Sequence, residues 1–259
     1  MSPKICFIGA GNLATQLSKV FQKEGLCISQ IYSRSEKSAK LLADKLKTNY
    51  CTAIKDLDAG ADIYFVALKD SALDEVLTQI DFKNKLVVHC SGSLPLSVLE
   101  KYSDNSGVFY PLQTFSKNRD VDFSSIPIFI ESSLVANEKI LLEFAEKISN
   151  SVSILDSERR KLLHISAVFA SNFVNHFYTI SSEILKSKEI PFDVLKPLIL
   201  ETALKVKEME PEMGQTGPAV RFDENVISAH LKELEYFKDY QELYKLISKS
   251  IFEHHSKLK

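Results

Sequence analysis

The sequence predicts an α/β fold, with a doubly wound sheet domain over residues 1–155 and an all-α domain over residues 156–259. Three features carry that reading. Short apolar runs alternate with helical patterns through the first half. A glycine-rich turn joins the first apolar run to the first helical pattern. After Asp156 the strand-like runs stop and only helical periodicity continues.

Lys4–Ile8 opens the chain as a strand. Leu13, Leu17, Val20 and Phe21 then recur at i, i+4, i+7 and i+8, the stripe of an amphipathic helix. Gly25 ends it. Cys27–Tyr32 is a second strand, and Ala39, Leu42, Ala43 and Leu46 mark a second helix. Ile63–Leu68 and Leu86–Cys90 are near-continuous apolar runs, as expected of parallel strands covered on both faces. Ile126–Ile130 and Val152–Leu155 complete the strands, separated by a helix from Leu134 to Ser149. Repeated β-α-β order with short connections implies a parallel sheet.

In the second half, Ser157–Lys188 carries no strong breaker and is apolar almost all round from Leu162 to Ile180. It is expected to be a helix buried on several sides. Asp193–Met209 is the next helix, with Pro197 near its first turn, where a missing N–H is tolerated. Pro211–Pro218 reads as a loop. Two further helices cover Asp223–Leu234, with Asp223 as N-cap, and Lys238–His254.

Composition narrows the class. Of 259 residues, 45% are hydrophobic and 25% charged, enough to bury a core. A formal net charge of −2 gives no reason to expect a nucleic-acid or membrane-surface partner. No apolar run approaches the ~20 residues a membrane span needs. Met1-Ser2-Pro3-Lys4 leads straight into a strand, without the pattern of a signal peptide. The four cysteines have no metal-ligand spacing, and no metal is expected. Cys6, Cys27 and Cys90 sit in apolar runs and read as reduced core residues of a cytoplasmic protein.

The strongest motif is Gly9-Ala10-Gly11-Asn12-Leu13-Ala14. This G-x-G-x-x-A stands between a strand and a helix, with a second strand about 20 residues on, which is the Rossmann dinucleotide-binding fingerprint. Gly9 permits the tight turn, Gly11 lets the backbone approach a pyrophosphate, and Ala14 keeps the helix close to the sheet. The N–H groups near Asn12 and Leu13 face the phosphates. At the end of the second strand an NAD site usually places Asp or Glu. This chain has Ser33-Arg34-Ser35 instead. Arg34 offers a planar cation to a 2′-phosphate and the two serines add hydroxyls, so NADP is the expected nucleotide. The alternative is that Arg34 is a solvated residue at a helix start. Ala67-Leu68-Lys69, after the third strand, is expected to pass under the nicotinamide half. Ser91-Gly92-Ser93, after the fourth long apolar run, either contacts nicotinamide or substrate or caps a helix.

With these segments in place, Gly-Ala-Gly-Asn-Leu-Ala and Ser-Arg-Ser resemble the Rossmann domains of pyrroline-5-carboxylate reductase and of deazaflavin-dependent NADP oxidoreductases. Further segments resemble a family that joins such a domain to a C-terminal helical domain of unknown function. They are Val88–Ser93, Tyr110–Phe115, His164–Phe173 and Thr216–Asp223 followed by His230-Leu231. The resemblance implies a reductase-like, dimeric protein acting on a small molecule. In that family the residue before Pro111 is often His, where this chain has Tyr110. Related β-hydroxyacid dehydrogenases carry a Lys one turn before the Asn on the corresponding helix, where this chain has Val168.

On a helix turning 100° per residue, Ser171 and Asn175 fall within about 20° of His164, and Asn172 within about 80°. His164 is the candidate proton donor to a carbonyl or imine being reduced, because an imidazole suits acid–base work near neutral pH. Asn172 is the candidate to orient the substrate oxygen. The alternative reads both as satisfied polar groups in a buried helix or dimer seam. The expected function is hydride transfer between NADP and a small C=O or C=N substrate, in a homodimer formed through the helical domain. The rival is an NADP-binding regulator without turnover.

Overall fold

A computed structural model of the chain describes residues 3–257. It divides into two compact units, Met1–Asn172 and Phe173–Lys259. The sequence changes character at residue 155, whereas the division into units falls at the end of a π-helical stretch.

The first unit is built on one eight-stranded sheet, in order β3-β2-β1-β4-β5-β6-β7-β8. The strands are β1 (Lys4–Ile8), β2 (Cys27–Tyr32), β3 (Asn49–Cys51), β4 (Ile63–Val66), β5 (Leu86–His89), β6 (Ser106–Pro111), β7 (Ile128–Ser132) and β8 (Val152–Ile154). Helices α1 (Asn12–Lys23), α2 (Glu36–Leu46), α3 (Leu73–Leu77) and α4 (Val135–Ile148) connect them, and α5 (Ser157–Ala167) follows β8. The doubly wound expectation holds, with one correction. β6 and β7 pair antiparallel, Pro111 opposite Ile128 and Gly107 opposite Ser132. The connection between them has no crossover helix, only a short 3₁₀ turn at Phe123–Ser125, and a parallel return needs a crossover.

Both faces of the sheet are covered. On one, Phe21 of α1 meets Phe65 and Phe109 edge-on, with ring centroids 5.2 and 5.5 Å apart, and Phe144 of α4 at 5.8 Å. These offset contacts suit the aromatic quadrupole. Of the α1 stripe, Leu17 and Phe21 are fully buried, while Leu13 and Val20 pack against the core from its edge. The other face buries Ile8, Tyr64, Val66, Leu77 and Phe82. Among the cysteines, Cys6, Cys51 and Cys90 are buried and Cys27 is exposed, so one expected core cysteine is not in the core. It occupies the first position of β2, where the strand leaves the cover of its neighbours.

The second unit contains α6 (Val174–Lys186), α7 (Lys196–Glu208), single helical turns α8 (Pro211–Gly214) and α9 (Pro218–Arg221), α10 (Glu224–Glu233) and α11 (Lys238–Ser256). Pro197 lies in the first turn of α7, and the Asp223 side chain accepts the Val226 N–H as N-cap of α10.

The stretch from Ser157 departs from expectation twice. Within α5 and α6 only Arg160 and Ile180 are buried, whereas Leu162, Phe169 and Phe173 are 66%, 65% and 45% exposed. Apolar residues on every face outnumber what one chain covers here. The stretch is also not α-helical throughout. Val168–Phe173 is π-helix, bonded five residues apart, so each residue turns the chain by less than 100°. The uniform 100° projection from His164 therefore fails beyond Ala167, and Asn172 and Asn175 stand exposed.

Candidate active site

A cleft opens at the C-terminal ends of β1, β4 and β5, beside the point where strand order reverses around β1. This is where open α/β sheets bind ligands. Its volume is about 220 Å³, and it is lined by Gly11, Asn12, Leu13, Ala67, Leu68, Lys69, Asp70, His89 and Ser91 among others. Most of the expected cofactor residues thus meet in one place. A larger depression of about 1060 Å³ lies elsewhere, lined by the later turns of α1 from Gln16 onward and by the end of α4, and it includes none of the expected cofactor residues.

The glycine turn is held from below. Gly9 adopts φ +123°, and a Cβ there would collide with the Ala67 carbonyl. Its N–H donates to the Tyr32 carbonyl at 2.8 Å, locking β1 to β2. Gly11 differs: its φ of −77° suits any residue, and a Cβ would meet nothing within 4 Å. The open space is where a pyrophosphate would lie. Gly11 precedes α1 without a side-chain cap, and the first turn of α1 carries no acidic residue. Its leading N–H groups and positive dipole end face that space, so the backbone fits a dinucleotide's phosphates.

At the end of β2, Ser35 caps α2 by accepting the Ser38 N–H, and Ser33 Oγ accepts the Ser35 N–H at 3.3 Å. Arg34 is exposed, and its Nη1 donates to both carboxylate oxygens of Glu75, at 3.1 and 3.3 Å.

The other end of the cleft is assembled from distant segments. Ser91 Oγ accepts the N–H groups of Ser93 and Leu94, both at 3.2 Å, so Ser91 shapes the turn while also lining the cleft. Ser93 Oγ donates to Asp70 at 2.9 Å. His89 is 1% exposed, and its Nδ1 accepts the Ser91 N–H, which puts the ring proton on Nε2. Nε2 finds no hydrogen-bond partner of good geometry. Burial, then the Arg160 charge, lowers the His89 pKa to about 4, against weaker opposing pulls from the Pro95 carbonyl and Asp70. His89 is neutral at pH 7.

Beyond Ser91, Gly92 lies against His164 and Tyr110. A Cβ at Gly92 would stand 2.6 Å from His164 Nδ1 and 2.8 Å from Tyr110 Cζ. Only glycine admits both rings. Tyr110, from buried β6, hydrogen-bonds His164 Nδ1 at 2.9 Å. Burial raises the Tyr110 pKa against the lowering influence of Arg160, keeping the phenol protonated.

Arg160 holds this corner. It is 1% exposed and donates to Glu131 of β7, to the Leu94 carbonyl at 2.6 Å and to Ser157 Oγ at 3.2 Å. Ser157 Oγ in turn accepts the Leu96 N–H and donates to Glu131. One buried ion pair thus ties the 91–96 loop, β7 and the start of α5 together. Asn172, by contrast, is exposed on the π stretch, and its side chain forms no hydrogen bond among the described residues.

Sequence reasoning missed Glu75, His89, Tyr110 as a partner of His164, and Arg160. Glu131, a carboxylate at the end of the apolar Ile126–Ile130 run, was the one available signal.

The profile described as "NADP oxidoreductase coenzyme F420-dependent" matches residues 4–92, and that of a domain of unknown function, DUF2520, matches 126–251. A Bacteroides fragilis protein with a provisional NADP oxidoreductase assignment is 49% identical, over 97% of this chain and 98% of its own, with a TM-score of 0.94. The chain belongs to this family of two-domain NADP oxidoreductases. Within the wider fold, an imine reductase from Myxococcus stipitatus solved with NADP+ is 14% identical (98% and 93% covered, TM-score 0.66). Pyrroline-5-carboxylate reductase from Streptococcus pyogenes is 17% identical (98% and 99% covered, TM-score 0.64). No curated protein matches the chain. Among the described residues, no helix of this family member is long and apolar enough to cross a membrane.

Proposed function

We propose that the protein transfers hydride between NADP and a small C=O or C=N substrate, with His164 as the proton-transferring group. The observation that carries the reading is the pairing of an open glycine turn with a histidine fixed by Tyr110 beside Gly92. The bound nucleotide would supply the hydride chemistry. The backbone at Gly9, Gly11, Asn12 and Leu13 holds the pyrophosphate, and Arg34 with Ser33 and Ser35 takes the 2′-phosphate. Ala67, Leu68 and Lys69 form the floor of the nicotinamide half, with Ser91 at its far side. His164 keeps Nδ1 on the Tyr110 hydroxyl, which leaves Nε2 to give or take the proton at the substrate. Asn172 orients the substrate oxygen.

The reading includes a homodimer. Leu162 and Phe169 in one unit, and Leu198, Leu200 and Val206 in the other, are each more than half exposed, and a second copy of the chain is the proposed cover. Sedimentation at micromolar concentration is expected to give twice the chain mass.

The test follows the absorbance of reduced nicotinamide over a panel of keto acids, aldehydes and cyclic imines. Turnover by the wild type, lost in His164→Gln with NADPH affinity unchanged, is the expected result. NADPH binding without turnover across the panel would favour the regulator.

A further inference from the structure

Arg34 and Glu75 come from segments following β2 and β4, the two strands that flank β1. Their ion pair therefore reaches across the C-terminal end of the sheet beside the glycine turn. One Arg34 nitrogen meets both Glu75 oxygens, and both side chains are more than 60% exposed, at 61% and 63%. A pair this exposed contributes little to folding and opens readily. The neighbouring hydroxyls accept backbone N–H groups, Ser35 as the cap of α2 and Ser33 from the Ser35 N–H, and they carry no charge. Arg34 is therefore the group in this loop with charge to offer an anion, and Glu75 holds it.

We propose that Glu75 sets the nucleotide preference of the cleft, as the counter-ion that Arg34 must leave in order to take a 2′-phosphate. The inference rests on the reading of Arg34 as the 2′-phosphate ligand. A phosphate of charge about −2 offers the guanidinium a stronger bidentate partner than a carboxylate does. Once displaced, Glu75 stays close to that phosphate and repels it. NADH brings no phosphate, leaves the pair intact, and presents a 2′-hydroxyl that a carboxylate can accept. Glu75 thus weakens NADPH binding and spares NADH, narrowing the gap between the two.

The experiment is calorimetric titration of the full-length protein with NADPH and with NADH at low ionic strength. The variants are Glu75→Gln, Arg34→Gln and the double variant, each checked for an unchanged melting temperature. Glu75→Gln is expected to tighten NADPH binding about three- to fivefold, the scale of an exposed pair, and not to tighten NADH binding. In the Arg34→Gln background that gain is expected to shrink, because only the direct repulsion is then relieved. If Arg34→Gln weakens NADPH selectively but Glu75→Gln leaves NADPH unchanged or weaker, the role of Glu75 is overturned while that of Arg34 stands. An equal gain with and without Arg34 would also overturn it, because Glu75 would then act by repulsion alone. If Arg34→Gln affects both nucleotides alike, the Arg34 reading falls and this inference with it.

Discussion

The two ends of the cleft are built in opposite ways. At the glycine turn, the shape comes from backbone over six consecutive residues, Gly9–Ala14, and the groups that would meet a ligand are N–H donors rather than side chains. At the Gly92 corner, the shape comes from side chains 54 residues apart, Tyr110 and His164, with the 91–96 loop and α5 tied by the Arg160–Glu131 pair. A local device survives in any domain that keeps the strand–turn–helix. A non-local one depends on the whole unit being folded around it, so it should be the more fragile end.

Breaking the support of the corner should have the largest effect. Glu131→Gln leaves the buried Arg160 without its counter-charge and is expected to cost about 3–5 kcal/mol, read as a fall in the denaturation midpoint. An unchanged midpoint would mean the pair is dispensable and the corner rests on packing alone. Next is acid. The unfolded chain protonates His89 at about pH 6.5, whereas the folded unit holds it neutral to about pH 4. The unfolded state therefore binds more protons in that window, and stability falls as pH drops through it, by roughly 3 kcal/mol in all. His89→Gln is expected to flatten that slope; if the slope stays the same, His89 is not its source.

Smaller changes sharpen the contrast. Gly92→Ala places a methyl group against His164 and Tyr110 and is expected to cost about 1–3 kcal/mol, while NADPH still binds. Loss of nucleotide binding in that variant would show that the two ends are not independent. Tyr110→Phe removes one buried hydrogen bond and is expected to cost about 1 kcal/mol. It should also shift the His164 tautomer, visible in nitrogen-15 spectra of histidine-labelled protein. An unaltered tautomer would remove Tyr110 from the positioning of His164.

The same division explains what the sequence revealed. Most of the sheet, the glycine turn and the Asp223 cap follow from patterns within a few residues. β6 was invisible because its Val108–Tyr110 run is framed by Ser106-Gly107 and Pro111, which read as breakers although all six residues are buried. The π stretch was invisible because Val168–Phe173 contains no Pro or Gly to announce it. The pairs Arg34–Glu75 and Arg160–Glu131 depend on which strands become neighbours, and residue spacing along the chain does not encode that.

The proposed function stands or falls with the turn at Gly11 receiving a dinucleotide's phosphates on backbone N–H groups. Calorimetric titration of NADPH into wild type and Gly11→Asp tests it directly. Micromolar or tighter uptake by the wild type is expected, lost in Gly11→Asp with the melting temperature unchanged, since a side chain there meets only open space. Well-folded wild type that takes up neither NADPH nor NADH would contradict it.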